Sequence, residues 1–442
     1  MDRTARRTRI AVAAAAAAVV AMALPLAVAG AAHAQTAPPP VTPPADDASS
    51  IAALVADAAQ QASAQAAAQQ AGPRLRAQGG EPGPDGSVYR GLDQALDALV
   101  ADGAVAVTAR VETPAGSWAG AAGTRERDGR SPARTQDRFR VGSITKPMIA
   151  TLVMQEVEKG TWSLDTAVAD VLPGVLPPGV TIEQLLSHRS GAPTGTDWLV
   201  ALRMTDPNSV DEYFEVVGQE FTEADHVVVL RTAPWVLEPG TGYSYSNAGY
   251  VVLGLMLERV TGEDVDDLLE DRVFAPARMR HSDLAERPGT RGPFLEEYAF
   301  TGSEGAGWYS LEHFHPSLFR SAGAVTSTTG DLADFTTALV TGSLVSEETT
   351  AGMLAPRTVD DYPNPDYGLG VYRVPDPCVP GEFLYGHDGA TYGTLAVALT
   401  SADGARTITL GVTGRDVAFP FWSDEPLYDL NTVLVPMLVA TC

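Results

Sequence analysis

The chain has 442 residues, 45% of them apolar, enough to build one large domain or two ordinary ones around a sizeable core. Its 55 Asp and Glu outweigh 30 Lys and Arg, for a formal net charge of -25. That balance argues against nucleic acid as a partner, because phosphate contacts need clustered positive charge; an acidic surface serves solubility.

Taken in chain order, residues 1–34 read as a secretory signal peptide. Arg3, Arg6, Arg7 and Arg9 form a positive start, an apolar stretch follows, and Ala32-His33-Ala34 fits a cleavage site before Gln35. The expectation is a secreted, extracellular protein, wall-associated or free, with no stable membrane insertion once the signal is removed. The alternative is an uncleaved N-terminal anchor, since the apolar run is long enough to span. No other stretch is long and apolar enough to do so. Residues 35–87 are low in complexity: a proline-rich segment, then an Ala/Gln-rich one. They read as a linker between signal and domain, the second part at most a marginal helix.

The folded domain is expected over residues 88–442. GLDQALDALVADG puts Leu92, Ala95, Leu96 and Leu99 on one helical face, and AVAVTARVE and SWAGAAGTRE read as strands. A helix follows from Gly142 to Gly160. TIEQLLSHRSG opens with a capping box, Thr181 to Gln184, and NAGYVVLGLMLERVTG is a helix with a stop at Gly262. Strands return after residue 360: YGLGVYRV, then TLAVALT and ARTITLGVT as a hairpin turning at Ser401-Ala402-Asp403-Gly404. LYDLNTVLVPMLVA closes the chain as a helix. Early and late strands can share one sheet only if the middle forms a separate lobe. The expected fold is therefore α/β of the α+β kind: an antiparallel sheet flanked by helices (about 88–160 and 321–442) plus an all-α lobe (about 161–320), with a cleft between.

Three short stretches carry groups capable of chemistry. In RFRVGSITKPM, Pro147 is tolerated only in a first helical turn, so the helix starts near Ser143, at the positive end of its dipole. Lys146 lies one turn on, over the same face. Lys146 and Lys159 are the only lysines in a chain that otherwise uses arginine. A serine needs a base to become a nucleophile, and a neutral lysine is one, whereas arginine does not give up its proton. Alone, the pattern is weak and reads more readily as a capping serine and a solvated lysine. In GTGYSYSNAGY, Tyr245 can relay a proton and Asn247 can hydrogen-bond a lysine or an amide; the structural alternative is Asn247 as helix cap and Tyr245 as packing. In YGHDGATYG, His387 can act electrostatically and Gly389 permits close backbone approach; the alternative is a plain turn.

In that order, SxxK, YSN and HxG resemble the motifs of the serine penicillin-recognising hydrolases, the D-alanyl-D-alanine carboxypeptidases and class C β-lactamases. LLSHRSG and SAGAVTSTTGDLADF look like the family's intervening stretches, and most of residues 88–442 is covered. HxG in place of KTG, together with YSYSN, is most similar to the secreted actinobacterial carboxypeptidases/transpeptidases. The resemblance implies that Ser143 forms an acyl-enzyme, Lys146 and Tyr245 share the proton transfers, Asn247 binds the lysine and the substrate amide, and His387 sits beside Tyr245. The oxyanion would lie between the backbone N–H groups of Ser143 and Ala390. Cys378 and Cys442, the only cysteines, read as one disulfide in an exported chain, a reading the family's late cysteine pair supports.

The chain also departs from the carboxypeptidase pattern. Asp388 and Ala390 replace threonines, and Tyr372 stands where a basic residue helps bind the substrate's carboxylate, with Arg373 next to it. Strand alternation points Arg373 away from Tyr372. The remaining histidines, His188, His281, His313 and His315, give no metal-ligand spacing, and neither metal nor organic cofactor is implied. His188 reads as structural. Ser190 lies in the LLSHRSG stretch, and Trp308, Tyr309 and Phe314 read as cleft lining or packing. The expectation is a monomeric serine hydrolase acting on peptidoglycan stem peptides or other small acyl substrates, β-lactams included. Esterase, D-aminopeptidase or amidase, β-lactamase and a non-catalytic penicillin- or peptide-binding module are the alternatives.

Overall fold

The computed structural model describes residues 47–71, 86–302, 307–357, 366–417 and 427–442. The expected signal peptide lies outside them. Seven strands form one antiparallel sheet: β1 (Ala106–Thr113), β2 (Gly116–Gly123), β3 (Asp366–Tyr367), β4 (Tyr372–Pro375), β5 (Phe383–Ala390), β6 (Thr394–Ser401) and β7 (Thr407–Thr413), in the order β2-β1-β7-β6-β5-β4-β3. The central register sets Val107 opposite Val412, Ala109 opposite Leu410 and Val111 opposite Ile408. The early and late strands do share one sheet, and the hairpin between β6 and β7 turns at Gly404 with φ 71°.

The helices that matter for the site are α1 (Asp47–Ala71), α2 (Gly86–Ala101), α3 (Thr145–Glu158), α4 (Ile182–Leu186), α5 (Asn247–Thr261), α6 (Thr329–Val340) and α7 (Asn431–Ala440). One face of the sheet is covered by α1, α2 and α7. The α2 face expected from its periodicity is the one buried there, with Leu92, Leu96 and Leu99 at most 2% exposed. The other face packs through Ala396 and Ala398 into a core that includes α3, α5 and α6. No helix among the described residues is long and apolar enough to cross a membrane.

Two expectations are corrected. Residues 35–87 are not all spacer: α1 docks on α7 and the sheet, burying Ile51, Val55, Ala58, Ala59 and Ala62. The physical reason is that alanine has high helix propensity and lets helices approach closely, so a run with little amphipathic signal still packs once Ile51 and Val55 find a partner face. The middle lobe is not all-α either. Asp283–Leu284 joins Val325–Ser327 and Phe139–Arg140 in one small sheet, and Tyr298–Phe300 joins Trp308–Ser310 and Arg415–Asp416 in another. Short extended pieces in the loops satisfy their backbone groups by pairing with segments flanking the large sheet.

Candidate active site

Ser143 stands in a 3-10 turn, Gly142–Ile144, that leads directly into α3, with Pro147 in the first turn of the helix. Gly142 takes φ 53°, and a Cβ there would come within 2.6 Å of the Ala390 nitrogen. A Cβ on Gly389 would lie 1.9 Å from the Val141 carbonyl oxygen and 3.1 Å from the Ser143 nitrogen. The end of β5 and the serine turn therefore touch backbone to backbone, which only glycines at 142 and 389 permit. Ser143 remains 8% exposed.

The other motifs converge on this serine. Tyr245 Oη donates to Ser143 Oγ at 2.7 Å and Lys146 Nζ reaches the same oxygen at 2.9 Å. Lys146, fully buried, also donates to Asn247 Oδ1 at 2.7 Å and to the Ala322 carbonyl at 2.8 Å. Its ammonium lies 4.7 Å from the centre of the Tyr245 ring. Asn247 is not the helix cap. Ser246 is, its side chain accepting the Gly249 N–H at 3.0 Å, and this leaves the Asn247 amide for Lys146. Burial first, and the Asp388, Tyr243 and Tyr250 side chains after it, raise the Tyr245 phenol well above its usual range despite its bond to Ser143, so it is a neutral donor.

The third motif is arranged differently from the expectation. His387 is committed through both ring nitrogens, Nε2 to Tyr367 Oη at 2.9 Å and Nδ1 to the Asp388 backbone carbonyl. Burial and the Lys146 charge push its imidazole down to about 3. The histidine whose ring lies against Tyr245 is His188, with centroids 4.1 Å apart; Tyr367 stands between the two histidines, 4.8 Å from His188 and 5.6 Å from His387. Tyr367 is supplied by β3, the edge strand of the sheet. Sequence reading missed this because nothing in LLSHRSG tells a helix-ending histidine from one aimed at a distant tyrosine.

Tyr372 and Asp388 are both buried, 1% exposed, and adjacent, although neither Tyr372 Oη nor Asp388 Oδ2 makes a well-directed hydrogen bond. Burial pushes the Asp388 carboxyl up to about 7, against the pull of the Tyr372 hydroxyl and the Lys146 charge. Arg373 is corrected as a substrate-binding candidate. Its guanidinium pairs with Asp366 at 2.9 Å and lies 3.9 Å from the Phe383 ring, on the side of β4 that alternation dictates. Cys378 and Cys442 are disulfide-bonded, with Cα atoms 4.9 Å apart. Tyr309 donates to Asp211 and stacks on Phe214, Trp308 packs on Phe300, and Phe314 is buried among aromatic rings. His315 takes the Ser317 N–H on Nδ1, while His281 and His313 lie largely exposed beside Asp331 and Glu312. Ser190 is buried and accepts the Ala192 N–H. Among the described residues no group of three or more His, Cys, Asp or Glu is set to hold a metal.

A serine whose hydroxyl is held by a buried lysine and a neutral tyrosine, where the end of an interior strand meets a helix start, defines the class. Residues 92–413 match the Beta-lactamase family, and the chain belongs to it as a serine hydrolase of the penicillin-recognising kind. Penicillin-binding protein 4 of Amycolatopsis lactamdurans is 30% identical over 334 residues, 69% of this chain and 80% of that protein. A penicillin-binding protein of Bacillus subtilis is 26% identical over 257 residues, and the match spans only 55% of its length. The fold is similar to that of a D-stereospecific amidohydrolase from Streptomyces, at TM-score 0.67 and 27% identity, over 78% of this chain and 97% of the other.

Proposed function

We propose that the protein is an acyl-enzyme hydrolase of D-amino-acid peptide bonds, of the D-alanyl-D-alanine carboxypeptidase kind, acting on peptidoglycan stem peptides outside the cell. The observation that carries this reading is the pair of contacts on Ser143 Oγ, from Lys146 Nζ and Tyr245 Oη. Asn247 Oδ1 and the Ala322 carbonyl can only accept, so two directions around Nζ hold N–H bonds. The third faces Ser143, and in the reactive form, with Lys146 as the neutral amine, its lone pair stands there. Nζ takes the hydroxyl proton as Oγ bonds to the substrate carbonyl. Negative charge develops on the carbonyl oxygen, beside the backbone N–H groups of Ser143 and Ala390. Tyr245 gives its proton to the leaving nitrogen as the C–N bond breaks, and the Lys146 ammonium returns one to the phenolate. Water then enters by the reverse route, cleaves the ester and restores Ser143.

A second reading is supported by Asp388 and Arg373. An acid stands where the carboxypeptidases have a hydroxyl, and the nearest arginine on β4 is engaged by Asp366. That favours leaving groups without a carboxylate, as in D-amino-acid amides, and agrees with the likeness to a D-stereospecific amidohydrolase. Intact-mass measurement after incubation with a labelled penicillin, with Ser143→Ala as control, tests the shared chemistry. The expected result is one adduct that Ser143→Ala abolishes. Lys146→Gln and Tyr245→Phe should each slow its formation by about 100-fold or more at unchanged melting temperature. Near-parental rates in folded Lys146→Gln would remove Lys146 from the reaction. Release of D-alanine from a stem pentapeptide, measured against ammonia from D-alanine amide, separates the two readings.

A further inference from the structure

Tyr245 can relay a proton only while its phenol oxygen stays on Ser143 Oγ, yet it stands on a loop, ahead of the first residue of α5. What holds it is His188. The His188 backbone carbonyl accepts the Ser244 N–H at 2.7 Å, and its Nδ1 accepts the Ser246 N–H at 3.1 Å. The residues on either side of Tyr245 are thus tied to one histidine. The imidazole also lies along the phenol ring, centroids 4.1 Å apart and planes inclined by 32°. Tyr250, Tyr367 and Tyr243 enclose it at 5.2, 4.8 and 5.8 Å.

Three further facts say that this arrangement is built rather than incidental. His188 takes φ 55°, a left-handed backbone that costs a residue with a side chain about 1–3 kcal/mol. The side chain is 1% exposed. Because Nδ1 accepts, the proton of the neutral ring sits on Nε2, and burial first, with Lys146 after it, holds the ring well below its usual range. A neutral ring adds no positive charge beside Tyr245, so the phenol remains protonated.

We propose that His188 is a positioning residue that clamps Tyr245 in proton-transfer contact with Ser143. The inference rests on the acyl-enzyme reading above, and it shifts to His188 the place beside Tyr245 expected of His387. Substitution separates the parts of the clamp. Asparagine tolerates the left-handed backbone and can accept the Ser246 N–H, but has no ring to lay on Tyr245. Glycine keeps the backbone and loses both contacts.

The test uses the full chain and a labelled penicillin, with thermal melting and amide exchange by mass spectrometry over residues 240–250. In His188→Gly the acylation rate constant is expected to fall about 100-fold while half-saturation moves less than about threefold. Exchange over 240–250 should quicken. His188→Asn should recover about a tenth of the parental rate or more. In a Tyr245→Phe background, His188→Gly should slow acylation no further, because its effect runs through the phenol. A merely structural histidine would lower the rate by the same factor with and without that hydroxyl, and such an additive cycle overturns the proposal. Parental acylation and exchange in folded His188→Gly does the same. A parent chain that never labels at Ser143 overturns the acyl-enzyme reading itself and the clamp's role with it; the parent control tells the two failures apart.

Discussion

Among single residues, Asp388 departs from its family's pattern with the clearest physical consequence. Its carboxyl is pushed up to about 7 inside the protein, whereas an unfolded aspartate titrates near about 3.9. Between those values the native state holds the extra proton, so the contribution of this group to stability is present below about pH 4 and is lost as pH rises towards 7. His387, pushed down to about 3 from an unfolded value of about 6.5, acts in the opposite sense: its contribution is present above about pH 6.5 and is lost as pH falls towards 3. The two slopes oppose each other across their overlap. Asp388→Asn removes one of them, so the variant's stability should rise with pH between about 4 and 6.5, and its gain over the parent should be greater near pH 8 than near pH 4. Denaturant melts across this range check it; an equal gain at both ends would mean the carboxyl is not raised. At this scale Lys146 was legible, because a rare lysine just ahead of a first-turn proline marks a helix start with a base over it. Arg373 was half legible: alternation gave its direction, but not Asp366 as the partner that engages it.

At the scale of elements, α1 is where local reading fell short. Its sequence looks like a spacer because alanines carry little hydrophobic contrast, yet Ile51 and Val55 are 7% and 0% exposed against the sheet-side core. Burying two such side chains contributes about 1.5–3 kcal/mol each. A chain lacking residues 47–71 should therefore be less stable by about 3 kcal/mol or more, read as a lower denaturant midpoint. An unchanged midpoint would return α1 to the status of a spacer. By contrast the body and the C-terminal end of α5 were legible, and Gly262 closes it at φ 73°, whereas the cap is Ser246, one residue before the Asn247 that the sequence offered. Capping patterns are local, and both ends of the helix obey them. That Asn247 faces the lysine rather than the cap was implied by the family resemblance and not by local pattern, since that choice depends on Lys146, 101 residues away.

At the scale of the whole molecule, the Cys378–Cys442 bond joins the loop after β4 to the end of α7 across a separation of 64 residues. Closing a loop of that size in the unfolded chain is worth about 4 kcal/mol in the chain-entropy account. Reduction should lower the denaturant midpoint by an amount in proportion, while Ser143 continues to acylate, because none of the contacts on Ser143 Oγ passes through the bridge. A midpoint indifferent to reductant would show that loop closure does not constrain the unfolded chain here.

The sequence by itself determined the order of the three motifs, the division into flanking strands and a middle lobe, the buried face of α2, and glycine at 389. All of these follow from local periodicity, capping and backbone freedom, which neighbouring residues report among themselves. Only the tertiary structure decided which histidine lies on Tyr245, that Ser246 and not Asn247 caps α5, that Arg373 is spent on Asp366, and that α1 is part of the core. Each of those depends on which face meets which across a long loop. Separation along the chain carries no information about that meeting, because it is set by the packing of whole layers on either side of the sheet.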